Sequence, residues 1–258
     1  MIEIINLCKS FGGKRVLDNL NLKVQTGETM AIIGRSGCGK SVLLKLIVGI
    51  LKADSGEIFI DGEDITKAGD KNLHRLRLKF GMLFQGGALF DSLSVGENVG
   101  FFLSEHTKSE EKAIRERVHY CLSMVGLPDT ENLSPAQLSG GMRKRVALAR
   151  AICMNPEIIL MDEPTTGLDP ITADAINTLI VDLHNKLKVT AVAVTHDMKS
   201  AYKIADRIAM LYKGKIISLG SPEEIQETGN PLVKQFISGR SSGVIIEEEN
   251  NLQEGTYA

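Results

Sequence analysis

Gly34-Arg35-Ser36-Gly37-Cys38-Gly39-Lys40-Ser41 follows a short apolar run at 28–33 and opens a mostly apolar stretch at 40–51. The spacing has a physical reason. Its glycines let the backbone curl until successive N–H groups converge on one anion. Lys40 adds a positive charge beside the phosphates of a nucleotide, and the Ser41 hydroxyl can ligate Mg²⁺. A helix that starts here turns its positive end to the phosphate. The octapeptide thus predicts a strand at 28–33, a phosphate loop at 34–41 and a buried helix over 40–51. An accidental glycine-rich turn is the bland reading, and the flanking strand and helix patterns count against it.

Working outward, Ile158-Ile159-Leu160-Met161-Asp162-Glu163 is the second informative stretch. An apolar strand at 158–161 ends in two adjacent carboxylates. Neither tolerates burial without a partner, so both are expected to emerge at the C-terminal edge of the strand. Ligands bind at that edge in open α/β sheets. Asp162 is placed to hold Mg²⁺, in part through its water shell. Glu163 is the candidate for the attacking water. An ordinary glutamate is a weak base at neutral pH, so orienting that water matters more than taking its proton. The alternative, a cap for the following helix, is disfavoured by Pro164 and the long loop to Pro170.

The rest of the chain extends this pattern. Residues 2–8 and 16–24 alternate as strands around the Gly12-Gly13 turn, 56–62 is a strand bounded by glycines, and 79–84 is a strand ending at Gln85. From Ser94 to Val125 the pattern is helical. Ser94 and Glu97 have capping-box spacing, and Ile114, Val118, Leu122 and Val125 share one face. A loop runs from Pro128 to Pro135, and 141–154 reads as a basic helix. After Pro156 strands at 158–161, 189–195, 207–212 and 215–219 alternate with helices at 171–187 and 198–205, the latter capped by Asp197. Ser221-Pro222-Glu223-Glu224 opens a further helix. Such alternation implies a mostly parallel sheet covered by helices, with an antiparallel N-terminal part. The expected organisation is one domain over 1–238, with a core of 1–85 and 156–238, a helical insertion at 86–155, and a flexible acidic tail at 239–258.

Composition excludes several classes. Net charge is −2, so no general field draws the chain to nucleic acid or anionic lipid. Trp is absent and aromatic residues are only 5%, which argues against an RNA binder that works by base stacking. Cys8, Cys38, Cys121 and Cys153 are widely spaced, as expected of reduced thiols and not of a disulfide frame or zinc site. No basic leader precedes an apolar run at the N-terminus, so no signal peptide is expected. The apolar stretch 42–51 is interrupted by Lys45 and is too short to span a bilayer.

Leu138-Ser139-Gly140-Gly141-Met142, followed by Arg143-Lys144-Arg145, would alone be a weak signal for a second anion site at a helix start. Together with the phosphate loop and the carboxylate strand, it resembles the signature of ATP-binding cassette (ABC) transporter subunits, of the P-loop NTPase fold. The resemblance spans residues 2 to about 238 and implies ATP hydrolysis with Mg²⁺. It also assigns roles. Phe11 would stack on adenine, with Val16 as its apolar neighbour. Gly34, Arg35, Ser36, Gly37, Cys38, Gly39, Lys40 and Ser41 would hold the phosphates. Gln85 would meet Mg²⁺ and the attacking water at the hinge to the insertion. Asp169 would touch a partner subunit, and His196 would lie near the γ-phosphate. Ordinary alternatives are a hairpin aromatic for Phe11 and a surface residue for His196. Ser139, Gly140 and Gly141 would complete the ATP site of a second copy, implying a head-to-tail homodimer.

The resemblance also implies separate integral-membrane permease chains docking near Gly86-Gly87-Ala88-Leu89-Phe90-Asp91-Ser92-Leu93-Ser94-Val95. Leu89, Phe90, Leu93 and Val95 could line a groove there or simply pack inside the insertion. Phe84-Gln85, Gly87 to Leu93 and Glu97-Asn98-Val99 are similar to the ATPases of Mla/MCE-type systems, as are residues 138–151 and Gln235-Phe236-Ile237-Ser238-Gly239. That similarity implies phospholipid or other hydrophobic cargo, an MCE-domain partner, and a place on the cytoplasmic face of a bacterial inner membrane. Two alternatives stay open: an ABC ATPase for polar solutes such as amino acids, and a soluble one in cofactor assembly or repair.

Overall fold

The computed structural model describes residues 1–243. The expected tail therefore lies mostly outside the described residues. In chain order the elements are β1 (Ile2–Phe11), β2 (Lys14–Val24), β3 (Thr29–Ile33), α1 (Lys40–Ile47), β4 (Ser55–Ile60), β5 (Glu63–Asp64), α2 (Asp70–Arg77), β6 (Phe80–Leu83), α3 (Val95–His106), α4 (Glu111–Met124), α5 (Gly140–Cys153), β7 (Ile158–Asp162), α6 (Pro170–Leu187), β8 (Thr190–Thr195), α7 (Met198–Ile204), β9 (Arg207–Tyr212), β10 (Lys215–Gly220), α8 (Pro222–Gln226) and α9 (Pro231–Ser238).

A six-stranded sheet runs in the order β10-β9-β3-β8-β7-β6, and a four-stranded sheet runs β2-β1-β4-β5. Within the larger sheet only the β9–β10 hairpin pair is antiparallel. The smaller sheet is antiparallel throughout. Strands β3, β7 and β8 are buried along their whole length, which is why they read as continuous apolar runs. Alternate side chains divide between two cores. Met30, Ile32, Ile158, Leu160, Val192 and Val194 face α1 and the smaller sheet. Ile159, Met161, Ala191 and Ala193 face the layer containing α3, α4, α5 and α6.

Three expectations change. The stretch from Ser94 to Val125 is two helices, because the Thr107 hydroxyl donates to Leu103 O and the chain turns extended there. The Ser94–Glu97 capping box does form. Helix α2 was not visible in the sequence, since only Leu76 of its eight residues is buried. The basic helix α5 is mostly internal, with Lys144 and Arg150 each only 5% exposed.

Candidate functional site

The phosphate loop connects β3 to α1, at the C-terminal edge of the larger sheet. Glycine is required at Gly39, where φ is 107° and a Cβ would come within 3.0 Å of Val16 Cγ1. That contact also places Val16 under the loop. Lys40 is buried, and its Nζ donates to Gly34 O at 2.7 Å and Arg35 O at 3.2 Å. The same Nζ lies 3.5 Å from Glu163 Oε1. Ser36 and Gly37 are exposed at the tip, while Arg35 and Cys38 are half-buried. Burial pushes the Cys38 thiol up, against the pull of Lys40.

The carboxylates sit at the end of β7 as expected, but both are buried, contrary to the expected emergence. Partners make this tolerable. Asp162 Oδ1 accepts from Ser41 Oγ at 2.9 Å. Burial is the main reason its carboxyl lies above the ordinary range, and neighbouring Glu163 pushes the same way. This hydroxyl–carboxylate pair beside the phosphate loop is a hard oxygen donor set that fits Mg²⁺, and a cation there would favour the ionised carboxylate. Glu163 Oε2 accepts from Thr166 Oγ1 at 2.9 Å and lies 2.9 Å from His196 Nδ1. Burial pushes the Glu163 carboxyl up, but the bonds from His196 and Thr166 and the Lys40 charge outweigh it and hold it low. An ionised carboxylate only accepts, so His196 carries its proton on Nδ1. Glu163 also has φ 50°, a left-handed conformation that costs a non-glycine residue about 1–3 kcal/mol. Its N–H donates to Val194 O at 2.9 Å and its carbonyl accepts from Lys144 Nζ at 3.0 Å.

Lys40, Glu163 and His196 therefore form one bonded cluster, beside the Ser41–Asp162 pair. Gln85 is exposed beyond β6, and its carbonyl is tied to the cluster through Lys144 Nζ. Phe11 stands apart at the end of β1, 45% exposed, with Lys9 Nζ 5.3 Å from its ring centre. Asp169 is the N-cap of α6, accepting from the Ile171 and Thr172 N–H groups. Ser139 caps α5 by accepting from Met142 N. The neighbours of Gly140 and Gly141 are Leu168 and Thr172, not the phosphate loop. Thr166 and Lys144 were missed in the sequence. A threonine three residues beyond Glu163 was a usable signal. Lys144 gave none, since its acceptors are backbone atoms 59 and 19 residues away.

The family model described as ABC transporter matches residues 17–166. The intermembrane phospholipid transport system ATP-binding protein MlaF of Haemophilus influenzae is 43% identical over 245 residues, covering 95% of this chain and 93% of that protein. The probable ribonucleotide transport ATP-binding protein mkl of Mycobacterium leprae is 40% identical, covering 100% of this chain and 77% of its own length. A dimeric post-hydrolysis state of an ATP-binding cassette bound to ADP and Pi superposes with a TM-score of 0.79 at 35% identity, covering 86% of this chain and 99% of that one. The chain belongs to the ABC transporter family and is one of its ATP-binding, ATP-hydrolysing cassettes.

Proposed function

We propose that this chain is the ATPase subunit of a transporter that moves phospholipids or other hydrophobic molecules across a bacterial envelope. The observation that carries the cargo is the similarity to MlaF over nearly the whole of both chains. The subunit works as a head-to-tail homodimer beneath separate permease chains docked at residues 86–95, with an MCE-domain protein in the assembly. Among the described residues no helix is long and apolar enough to cross a membrane. In the proposed assembly the permeases span the membrane and this subunit sits on their cytoplasmic face.

In the proposed mechanism residues 34–41 bind the ATP phosphates, with Lys40 at the β- and γ-oxygens. Adenine rests on Phe11 and Val16. Ser41, Asp162 and Gln85 would hold Mg²⁺, which when bound would neutralise charge on the phosphate oxygens. Glu163 accepts a hydrogen bond from water and aims its lone pair at the γ-phosphorus. A new P–O bond forms between the water oxygen and the γ-phosphorus, the bond to the ADP oxygen breaks, the water's proton passes to an oxygen of the transferred phosphoryl group, and ADP and inorganic phosphate leave. His196 steadies Glu163 through its Nδ1–H and lies near the γ-phosphate. Ser139, Gly140 and Gly141 of the second copy close the site, and Asp169 contacts that copy.

Glu163→Gln is expected to bind ATP normally and lose turnover about 100-fold or more. Full turnover in that variant would remove Glu163 from the mechanism. For the cargo, the chain is purified from membranes with its permease and reconstituted in vesicles. ATP-driven movement of labelled phospholipid is expected. The relative named for ribonucleotide transport motivates the second reading, a polar solute. Movement of ribonucleotide but not lipid would establish that reading instead.

A further inference from the structure

Helix α5 carries cations that turn inward onto backbone carbonyls. Lys144 is 5% exposed, and its Nζ donates both to Gln85 O and, at 3.0 Å, to Glu163 O. Arg150, equally buried, donates to Gly87 O at 2.6 Å and Ala88 O at 2.7 Å. Asn98 on α3 continues the series, donating to Phe90 O, Leu93 O and Ser94 O. The segment from Gln85 to Ser94 is thus held by its own carbonyls, and one ammonium joins its first residue to the backbone of Glu163.

We propose that Lys144 is a positioning residue for ATP hydrolysis, fixing the hinge at Gln85 to the backbone of Glu163 so that the carboxylate keeps its aim only while the hinge is seated. An ammonium has three donors and no acceptor, so it can hold two carbonyls at once. The grip falls where it is needed. Glu163 is left-handed at φ 50°, a conformation that persists only when its surroundings hold it. Its N–H is held by Val194 on β8, and its carbonyl is held by Lys144. The hinge is left-handed as well, at Gly87 (φ 80°), where glycine adopts it freely, and at Ala88 (φ 46°), where it is strained. A displacement of the segment moves Gln85 O, and Lys144 passes it to Glu163 through a single side chain. Burial pulls the Lys144 ammonium down, and Asp162 and Glu163 oppose that pull.

This inference rests on Glu163 being the carboxylate that orients water. The test uses the full-length chain with Lys144→Met, Lys144→Gln and Lys144→Arg, and with Arg145→Met as a control. Arg145 donates from the same helix to Val125 O, away from the hinge. Binding of a non-hydrolysable ATP analogue counts competent sites, so that kcat refers to folded protein. Lys144→Met is expected to lower kcat about 10- to 100-fold, with KM for ATP and analogue affinity within about twofold of wild type. Lys144→Gln, which keeps two N–H donors without the charge, and Lys144→Arg should each recover most of that loss. Arg145→Met should leave kcat within about twofold. Wild-type kcat in Lys144→Met, a Gln variant no better than Met, or an equal loss in Arg145→Met overturns the inference. Glu163→Gln is assayed alongside. If it is inactive while Lys144→Met is not, only the positioning role falls. If it turns over fully, the role of Glu163 falls first.

Discussion

Asp169 shows how one side chain can carry a structural and a functional reading together. Its carboxylate caps α6 by accepting two backbone N–H bonds at 3.0 Å, and the Thr172 hydroxyl donates to its other oxygen. The cap alone would account for an acidic residue here, whereas the family resemblance places it against a second subunit. The two readings separate by substitution. Asp169→Ala removes the cap and should cost about 1 kcal/mol, whereas Asp169→Asn keeps an acceptor and should stay within about 0.5 kcal/mol. Urea unfolding midpoints measure both. If the dimer contact also matters, Asp169→Asn lowers ATPase activity despite normal stability. Wild-type activity in the Asn variant reduces Asp169 to its cap. Legibility at this scale follows the kind of partner a residue has. Lys40, Ser41, Asp162 and Glu163 could be picked out because their chemistry sits at tell-tale spacings, whereas His196 came only through the family resemblance. Lys144 could not, because every residue type supplies a carbonyl and the acceptors leave no mark in the sequence.

Among the elements, the buried strands were the easiest to find and the polar helices the hardest. β3, β7 and β8 announce themselves because both of their faces are covered. α2 lies on the surface with one buried residue, so it has almost no apolar period to detect. The break between α3 and α4 depends on a Thr107 hydroxyl bond that periodicity does not register. The segment between β6 and α3 is the most informative case. It looks like a loop in sequence, yet Asn98, fully buried, bonds Phe90 N and three carbonyls there. Asn98→Leu removes all four bonds without opening a large void. Unsatisfied buried groups cost about 1–3 kcal/mol each, and local rearrangement recovers part of that, so a loss of about 3 kcal/mol is expected. Chemical denaturation measures it, and protease cleavage within 86–94 should accelerate. Unchanged stability and cleavage would mean that Asn98 is not what shapes the segment.

For the whole molecule, the two glycine-rich helix starts have different surroundings. The start of α1 is tied to Glu163 through Lys40. The start of α5, with Ser139 and Gly140 exposed, packs against Leu168 and Thr172 instead. In the proposed head-to-tail dimer a second copy brings both starts to one nucleotide. ATPase activity per chain should therefore rise with protein concentration at the dilute end and level off once dimers form. Activity per chain independent of dilution in a monomeric sample would exclude the shared site. The carbonyl grip on residues 85–94 has a consequence over evolutionary time. It takes hold of atoms common to every amino acid, so exposed side chains in that segment, such as Asp91 and Ser92, can change without loosening the grip. If the proposed permease docks there, the contact face can be rewritten at those exposed positions while the backbone behind it keeps its shape.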